Sequence, residues 1–128
     1  MSERSAIETE LAPKAIGPYS QAVRRGEMIY LSGQIPLDPV SGELRLGSIE
    51  EQTHRVMQNL AGVLSAAGAS FGDVLMTTIY LTDLGDFAAV NAVYASYLEP
   101  PFPARATVQV AALPKGVAVE ISMIAQRG

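Results

Sequence analysis

One stretch constrains the fold of this chain more than any other: Asp73–Asp83, reading DVLMTTIYLTD. It concentrates β-branched and aromatic residues and carries apolar side chains at both parities. That is the pattern of an interior strand buried on both faces. Such a strand needs neighbours on either side and cover above and below, so the segments around it decide where that cover comes from.

Upstream, Ser48 with Glu51 three residues on has the spacing of a capping box. Ile49, Val56, Leu60, Val63, Leu64 and Ala67 then recur at helical spacing, with Glu50, His54, Arg55 and Gln58 opposite them. Gly68 is placed to end this helix in a left-handed cap. His54 therefore falls on the wet face and reads as a surface residue. Downstream, a second helix is expected from Gly85 or Asp86, with Phe87, Val90, Tyr94, Tyr97 and Leu98 as its buried stripe and Asn91 on the stripe's edge. Pro100, Pro101 and Pro103 stop it and stiffen an extended lead-in.

Residues 5–10 read as a first edge strand and Glu27–Ser32 (EMIYLS) as another. Pro36–Gly47 reads as a loop with a small hairpin around Ser41-Gly42. Ala104–Ala111 and Val117–Gln126 are expected as strands joined by Leu113-Pro114-Lys115-Gly116, ordinary turn chemistry. Residues 1–128 thus read as one domain. The order of elements predicts an α+β fold, a single mixed β-sheet with two helices packed on one face. The other sheet face then needs cover, and a second copy of the chain is the natural source. A hydrophobic content of 48% with few charges points the same way.

Composition removes several function classes. The chain has no cysteine, so disulfides, thiolate catalysis and cysteine-ligated zinc are excluded. His54 is its one imidazole, whereas a metal site usually gathers several nitrogen or sulfur ligands. Nine Lys and Arg against 13 Asp and Glu argue against a nucleic-acid surface. The one basic doublet, Arg24-Arg25, reads as a solvated turn. Val56–Gly72 is interrupted by Gln58 and Asn59 and reads as an amphipathic helix, so no membrane span is expected. No apolar run follows Met1-Ser2-Glu3-Arg4, which leaves the cytosol as the expected compartment. A glycine-rich phosphate loop, a GxSxG elbow, an HExxH helix and a dinucleotide fingerprint are all missing. No metal or cofactor is implied.

What remains is polar residues where the pattern expects apolar ones. Arg105, Thr107 and Gln109 alternate with Ala106, Val108 and Val110 on one late strand, and Glu120 lies mid-strand on the other. A tight antiparallel hairpin would set Gln109 opposite Glu120 and Arg105 opposite Ile124. Arg105 and Glu120 would then point the same way, roughly 13 Å apart along the strand. They are either a structural ion pair, solvated charges on an open sheet face, or a site. As a site, the planar fork of Arg105 suits an α-carboxylate and Glu120 suits water activation. Together those functions fit hydrolysis of a small carboxylated substrate.

At these residues the chain resembles a known family. Pro103-Ala104-Arg105-Ala106-Thr107-Val108, then Leu113-Pro114, then Val119-Glu120-Ile121 look like the signature of the reactive intermediate deaminases (RidA, also called YjgF). Ala15-Ile16-Gly17-Pro18-Tyr19-Ser20-Gln21, Leu31-Ser32-Gly33-Gln34-Ile35-Pro36 and Asp86-Phe87-Ala88-Ala89-Val90-Asn91 resemble its earlier blocks, in order and at family spacing. The resemblance implies a chorismate-mutase-like fold and a homotrimer with sites between subunits. It implies hydrolysis of 2-aminoacrylate-type enamines, as imine tautomers such as 2-iminopropanoate, to 2-oxo acids and ammonia, without a cofactor. Arg105 would hold the substrate carboxylate and Glu120 would position the water. Tyr19, Ser32, Gly33, Asn91 and Thr107 would line the pocket. Many archetypal members carry cysteine where this chain has Thr107; a backbone role there tolerates threonine, whereas a side-chain role would alter the preferred imine. Relatives have also been described as endoribonucleases or translation inhibitors. A non-catalytic carboxylate-binding or chaperone-like module would share the same arginine.

Overall fold

The computed structural model describes residues 3–128. Six strands form one mixed sheet: β1 (Ser5–Ile7), β2 (Ala22–Arg25), β3 (Met28–Gln34), β4 (Val74–Leu81), β5 (Ala104–Gln109) and β6 (Val119–Gln126), in the order β1-β2-β3-β6-β4-β5. Only β4 and β5 run parallel; every other neighbouring pair is antiparallel. Two helices, α1 (Ile49–Ala66) and α2 (Phe87–Ser96), pack against one face. The fold is α+β, a two-helix layer on a single sheet.

The buried positions follow from strand alternation. Ile29 and Leu31 of β3, Thr77, Ile79 and Leu81 of β4, and Val119, Ile121, Met123 and Ala125 of β6 all turn towards the helices and are buried. Val56, Leu60, Val63 and Leu64 of α1 meet them, again fully buried. Each buried Val, Leu, Ile or Met among them contributes roughly 1.5–3 kcal/mol relative to leaving it in water. The opposite parity faces away: Tyr30, Val108 and Ile124 are exposed there, and Thr78, Tyr80, Glu120 and Ser122 are half-buried. Among the described residues nothing covers this second face, although Asp73–Asp83 reads as doubly buried.

Helix α1 begins as its residues require. Ser48 Oγ accepts from Glu51 N at 3.1 Å, and the Glu51 carboxylate accepts from Ser48 N at 3.3 Å. Gly68 takes φ 75° just beyond the helix end. Asn59 and Gln52 lie on an edge of α1 that is buried yet polar. Gly62 continues that edge, and here the segment Thr9–Pro13 crosses the helix.

Three expectations are corrected. Arg24-Arg25 belongs to a strand, β2, whose turn into β3 falls at Gly26-Glu27; Arg24 Nη2 donates to Ala67 O at 2.6 Å, closing the end of α1. In α2, Phe87 is exposed, its ring beside the exposed Arg105 side chain, and Val93, three residues beyond Val90 and on the same helix face, is buried instead. Most consequentially, β5 and β6 form no hairpin: β4 lies between them. The β4–α2–β5 segment is a parallel crossover, which places β5 on the outer side of β4. The chain from Val110 to Ala118 must then pass β4 to reach β6. It does so through a 3-10 turn at Pro114–Gly116 in which Lys115 adopts φ 58°.

Packing of the crossing segment is tight enough to test. A Cβ on Gly62 would sit 2.7 Å from both Leu11 Cβ and the Leu11 carbonyl oxygen. Gly62→Ala should therefore destabilise the protein by about 1–3 kcal/mol through overpacking, outweighing the ~1 kcal/mol gain in helix propensity. Chemical denaturation that shows the variant equal to or more stable than the parent would contradict this packing.

Candidate active site

Glu120 sits in the middle of β6, opposite Tyr80 of β4, on the sheet face that the helices leave bare. It is half-buried and forms no ion pair among the described residues. Burial pushes its carboxyl above the ordinary glutamate value. The neighbouring strand makes room for it. The β3–β6 register shifts between Leu31 and Gln34, and within that irregularity Gly33 faces the Glu120 side chain. A Cβ there would overlap Oε2 and lie 2.9 Å from Cδ, so only glycine lets the carboxylate approach the β3 backbone.

Ser32 and Tyr19 complete this side. Ser32 Oγ donates to Ser20 O at 2.6 Å and Ser32 N to Gln21 O at 3.0 Å, tying β3 to the Gly17–Gln21 segment. Gly17, at φ 125°, turns that segment so that Tyr19 N donates back to Gly17 O at 2.9 Å. Tyr19, Ser32, Gly33 and Glu120 line one cleft of about 490 Å³, with Lys14, Ile16, Ile35 and Lys115 on its walls.

Arg105 lies elsewhere. It pairs with Thr77 on β4, and its side chain turns towards α2. Nη1 donates to Asn91 Oδ1 in a short hydrogen bond. The guanidinium carbon is 5.4 Å from the Phe87 ring centroid and 5.3 Å from that of Tyr94, within cation–π range. Tyr94 is fixed in turn by a 2.8 Å hydrogen bond between its hydroxyl and Thr77 Oγ1. Arg105, Asn91 and Tyr94 line a second cleft of about 400 Å³ with Phe102 and Pro103. Thr107, paired with Ile79, shares the Arg105 face of β5, and its buried Oγ1 has no partner among the described residues.

The seven residues singled out in the sequence therefore fall into two groups. Tyr19, Ser32, Gly33 and Glu120 share one cleft; Asn91 and Arg105 share another, with Thr107 on the same strand face as Arg105. The expected common face of Arg105 and Glu120 is not found. Thr77 pairs with Arg105 and Tyr80 with Glu120, and these β4 positions are an odd number of residues apart, so the two charged side chains leave opposite faces of the sheet. The alternative of a structural Arg105–Glu120 ion pair is excluded for the same reason. Gln109, expected opposite Glu120, instead pairs with Leu81 and accepts from Leu84 N at 2.8 Å.

Two functional-site neighbours escape a reading of the sequence. Phe87 and Tyr94 read as core stripe, yet both rings flank the Arg105 guanidinium. Their spacing with Asn91, i, i+4 and i+7, puts all three on one helix face; what the sequence lacks is the information that β5 runs beside that face. His54 is exposed as expected, with Nδ1 2.8 Å from the Tyr97 hydroxyl. Among the described residues no three His, Asp or Glu side chains converge as metal ligands, and no helix is long and apolar enough to cross a membrane.

Comparison with known proteins places the chain in a family. Residues 9–127 match the family model described as endoribonuclease L-PSP. Protein DfrA of Myxococcus xanthus is 58% identical over 95% of this chain and 95% of its own. A mouse protein named 2-iminobutanoate/2-iminopropanoate deaminase is 50% identical over 98% of this chain and 93% of its own. The crystal structure of Escherichia coli TdcF with bound serine superposes with a TM-score of 0.92 at 43% identity, covering 97% of this chain and 99% of that one. With the match running through both clefts and every strand but the first, the chain belongs to the endoribonuclease L-PSP family, the YjgF/RidA family that its motifs resemble.

Proposed function

We propose that this protein hydrolyses 2-imino acids, the tautomers of 2-aminoacrylate-type enamines, to 2-oxo acids and ammonia at a site built from two copies of the chain. The carrying observation is the division of the charges. An arginine clamped between two rings occupies one cleft and an unpaired, desolvated carboxyl group another, on opposite faces of one sheet. The Arg105 cleft holds no carboxyl group, and the Glu120 cleft holds lysines but no guanidinium fork to grip both oxygens of a carboxylate. Bringing the Arg105 cleft of one copy against the Glu120 cleft of the next is a heterologous contact, which closes into a ring. It also covers the bare face that carries Tyr80, Ser122 and Ile124. The family resemblance gives the ring three members, with Tyr19, Ser32, Gly33, Asn91 and Thr107 lining each site.

The chemistry follows from the parts. Arg105, oriented by Asn91 and the two rings, grips the α-carboxylate with its remaining N–H groups. Glu120 takes a proton from a water molecule as that water's oxygen bonds to the imine carbon, and passes it to the imine nitrogen, giving a tetrahedral carbinolamine. It then takes the carbinolamine hydroxyl proton and delivers it to the departing nitrogen as the C–N bond breaks and the C=O bond forms, leaving a 2-oxo acid and ammonia. A carboxyl titrating above the ordinary range suits it to both transfers. Imines are already electrophilic, so orientation supplies much of what the reaction needs. Support comes from the deaminase relatives at half identity over the full chain and from the TdcF structure, whose bound serine carries the same α-carboxylate and α-nitrogen. The ribonuclease in the family's name is disfavoured here by a net charge of −4.

Two tests follow. Arg105→Ala and Glu120→Gln should each abolish rate enhancement on freshly generated 2-aminoacrylate. Mixed and reassembled in equal amounts, the two inactive variants should recover about one quarter of parental activity, because one interface in four then pairs an intact Arg105 with an intact Glu120. No recovery from verified mixed oligomers would refute a site shared between copies. The second test is pH-dependent. A carboxyl whose folded-state pKa is raised favours folding while protonated, and that contribution is lost as pH rises through the folded value. Glu120→Gln should thus melt above the parent at pH 7, the gap closing as pH falls below the ordinary glutamate range; a pH-independent difference would remove desolvation as the cause.

A further inference from the structure

Beyond β3, the walls of the Glu120 cleft are three loops outside the six strands, with little backbone pairing of their own: an isolated bridge from Leu37 to Leu44 and a 3.3 Å bond from Thr82 N to Ala118 O. Thr9–Pro13 leads to Lys14 and Ile16; Ile35–Leu37 follows β3; Pro114–Ala118 leads into β6 and carries Lys115. Each loop is fastened by one buried carboxamide. Gln21, 4% exposed, accepts from Thr9 N at 2.7 Å through Oε1, while its Nε2 lies 3.0, 3.2 and 2.7 Å from the carbonyl oxygens of Thr9, Ala12 and Pro13. Asn59, wholly buried, donates from Nδ2 to Ile35 O at 3.1 Å and Leu37 O at 2.9 Å. Its Oδ1 accepts from Arg55 Nε at 3.1 Å. Gln52, 8% exposed, accepts from Ala118 N at 3.1 Å, two residues before Glu120.

We propose that Gln21, Gln52 and Asn59 are the positioning residues of the Glu120 cleft, each fixing one of its three loop walls. Buried backbone groups that lack a ladder partner must be satisfied by something. A carboxamide supplies donors and an acceptor without adding a charge. Gln52 and Asn59 sit seven residues apart on α1 and so share one helix face, which makes that helix the common anchor for two of the walls. The sheet alone sets the position of the Glu120 backbone, so these side chains govern how closely the walls exclude water from its carboxyl. The groups that face that carboxyl are Lys14 and Tyr19 on the first wall, Lys115 on the third and Tyr80 across the β6–β4 ladder.

The donor and acceptor assignment separates this role from simple core filling. Gln21 acts mainly as a donor, so Gln21→Glu loses its bonds to the three carbonyls. Gln52 acts through its oxygen, so Gln52→Glu keeps the bond from Ala118 N and loses only the 3.5 Å contact to Gly47 O. It lies in the first turn of α1, where the helix dipole tolerates a carboxylate.

The experiment is a carbon-13 NMR titration of the Glu120 carboxyl in the assembled protein, well below its melting temperature. Gln21→Met, Gln52→Met and Asn59→Leu should each bring that carboxyl down towards the ordinary glutamate range, while Gln52→Glu should leave it raised. In turnover, those three should raise KM for 2-iminopropanoate by about three- to tenfold, the cost of one or two lost hydrogen bonds, and Gln52→Glu should match the parent. Gln21→Glu places a second carboxylate in the cleft, which itself raises the Glu120 titration, so it is read by KM and should resemble Gln21→Met. An unchanged Glu120 titration in the folded apolar variants overturns the proposal, as does an equal KM of the two glutamate substitutions. If Asn59→Leu fails to fold, Gln21→Met and the Gln52 pair still decide. The catalytic meaning rests on the deaminase reading, but the titration does not: an inactive parent would defeat that reading and leave this result standing.

Discussion

Strand β4 is the constraint on which the rest of the molecule depends. It is the one strand that pairs parallel on one side and antiparallel on the other. The parallel partner requires a crossover, so α2 must lie between β4 and β5 and on the helix face. The antiparallel partner brings β6 to the other flank. Once both neighbours are set, side-chain parity is no longer free. Residues paired to Thr77 point towards the helices and residues paired to Tyr80 point away. Arg105 and Glu120 are fixed on opposite sides of the molecule by the same ladder of backbone hydrogen bonds that stabilises the core.

That separation explains how two unpaired charges coexist in a small fold. On one side, the Arg105 guanidinium spreads its charge over the faces of Phe87 and Tyr94 and a hydrogen bond to Asn91, all at the sheet edge where water reaches it. On the other, Glu120 has no cation to offset its burial, and desolvation moves its titration upward. Had both groups shared a face they could have neutralised each other, and each would then have been lost to any ligand. The sheet keeps them apart within one copy and leaves each without a charged partner among the described residues.

The sequence carries much of this fold locally. The capping box at Ser48 and Glu51, the left-handed end at Gly68, the hairpin at Gly42 and the interior position of β4 are all marked by neighbouring residues, and all appear as expected, although only one face of β4 is buried within one copy. Strand pairing is a property of residues far apart, and there the reading failed. Leu113-Pro114-Lys115-Gly116 has the composition of a tight turn, but composition does not reveal that the chain uses it to pass over β4. The same limit applies to the clefts. Local pattern marks Arg105 and Glu120 as polar residues in apolar strands, and family motifs mark Tyr19, Ser32, Gly33, Asn91 and Thr107. Neither reveals that these residues divide into two groups, which depends on an odd number of residues between two β4 positions.

The division also assigns different tasks to the two kinds of structure around the site. Strands β5 and β6 place the charged ends by ladders of many backbone hydrogen bonds, so no single side chain outside the sheet can move them far. The cleft walls are loops, each dependent on one carboxamide and a few backbone contacts, and so are far easier to alter. In such an arrangement the placement of the charged groups resides in the sheet, and the shape and dryness of the cavity reside in the loops. Changes among Lys14, Ile16, Ile35 and Lys115 then reshape the Glu120 cleft without moving the charged groups that the strands hold. This is consistent with relatives that share half of their sequence with this chain, align over nearly its whole length and carry different names.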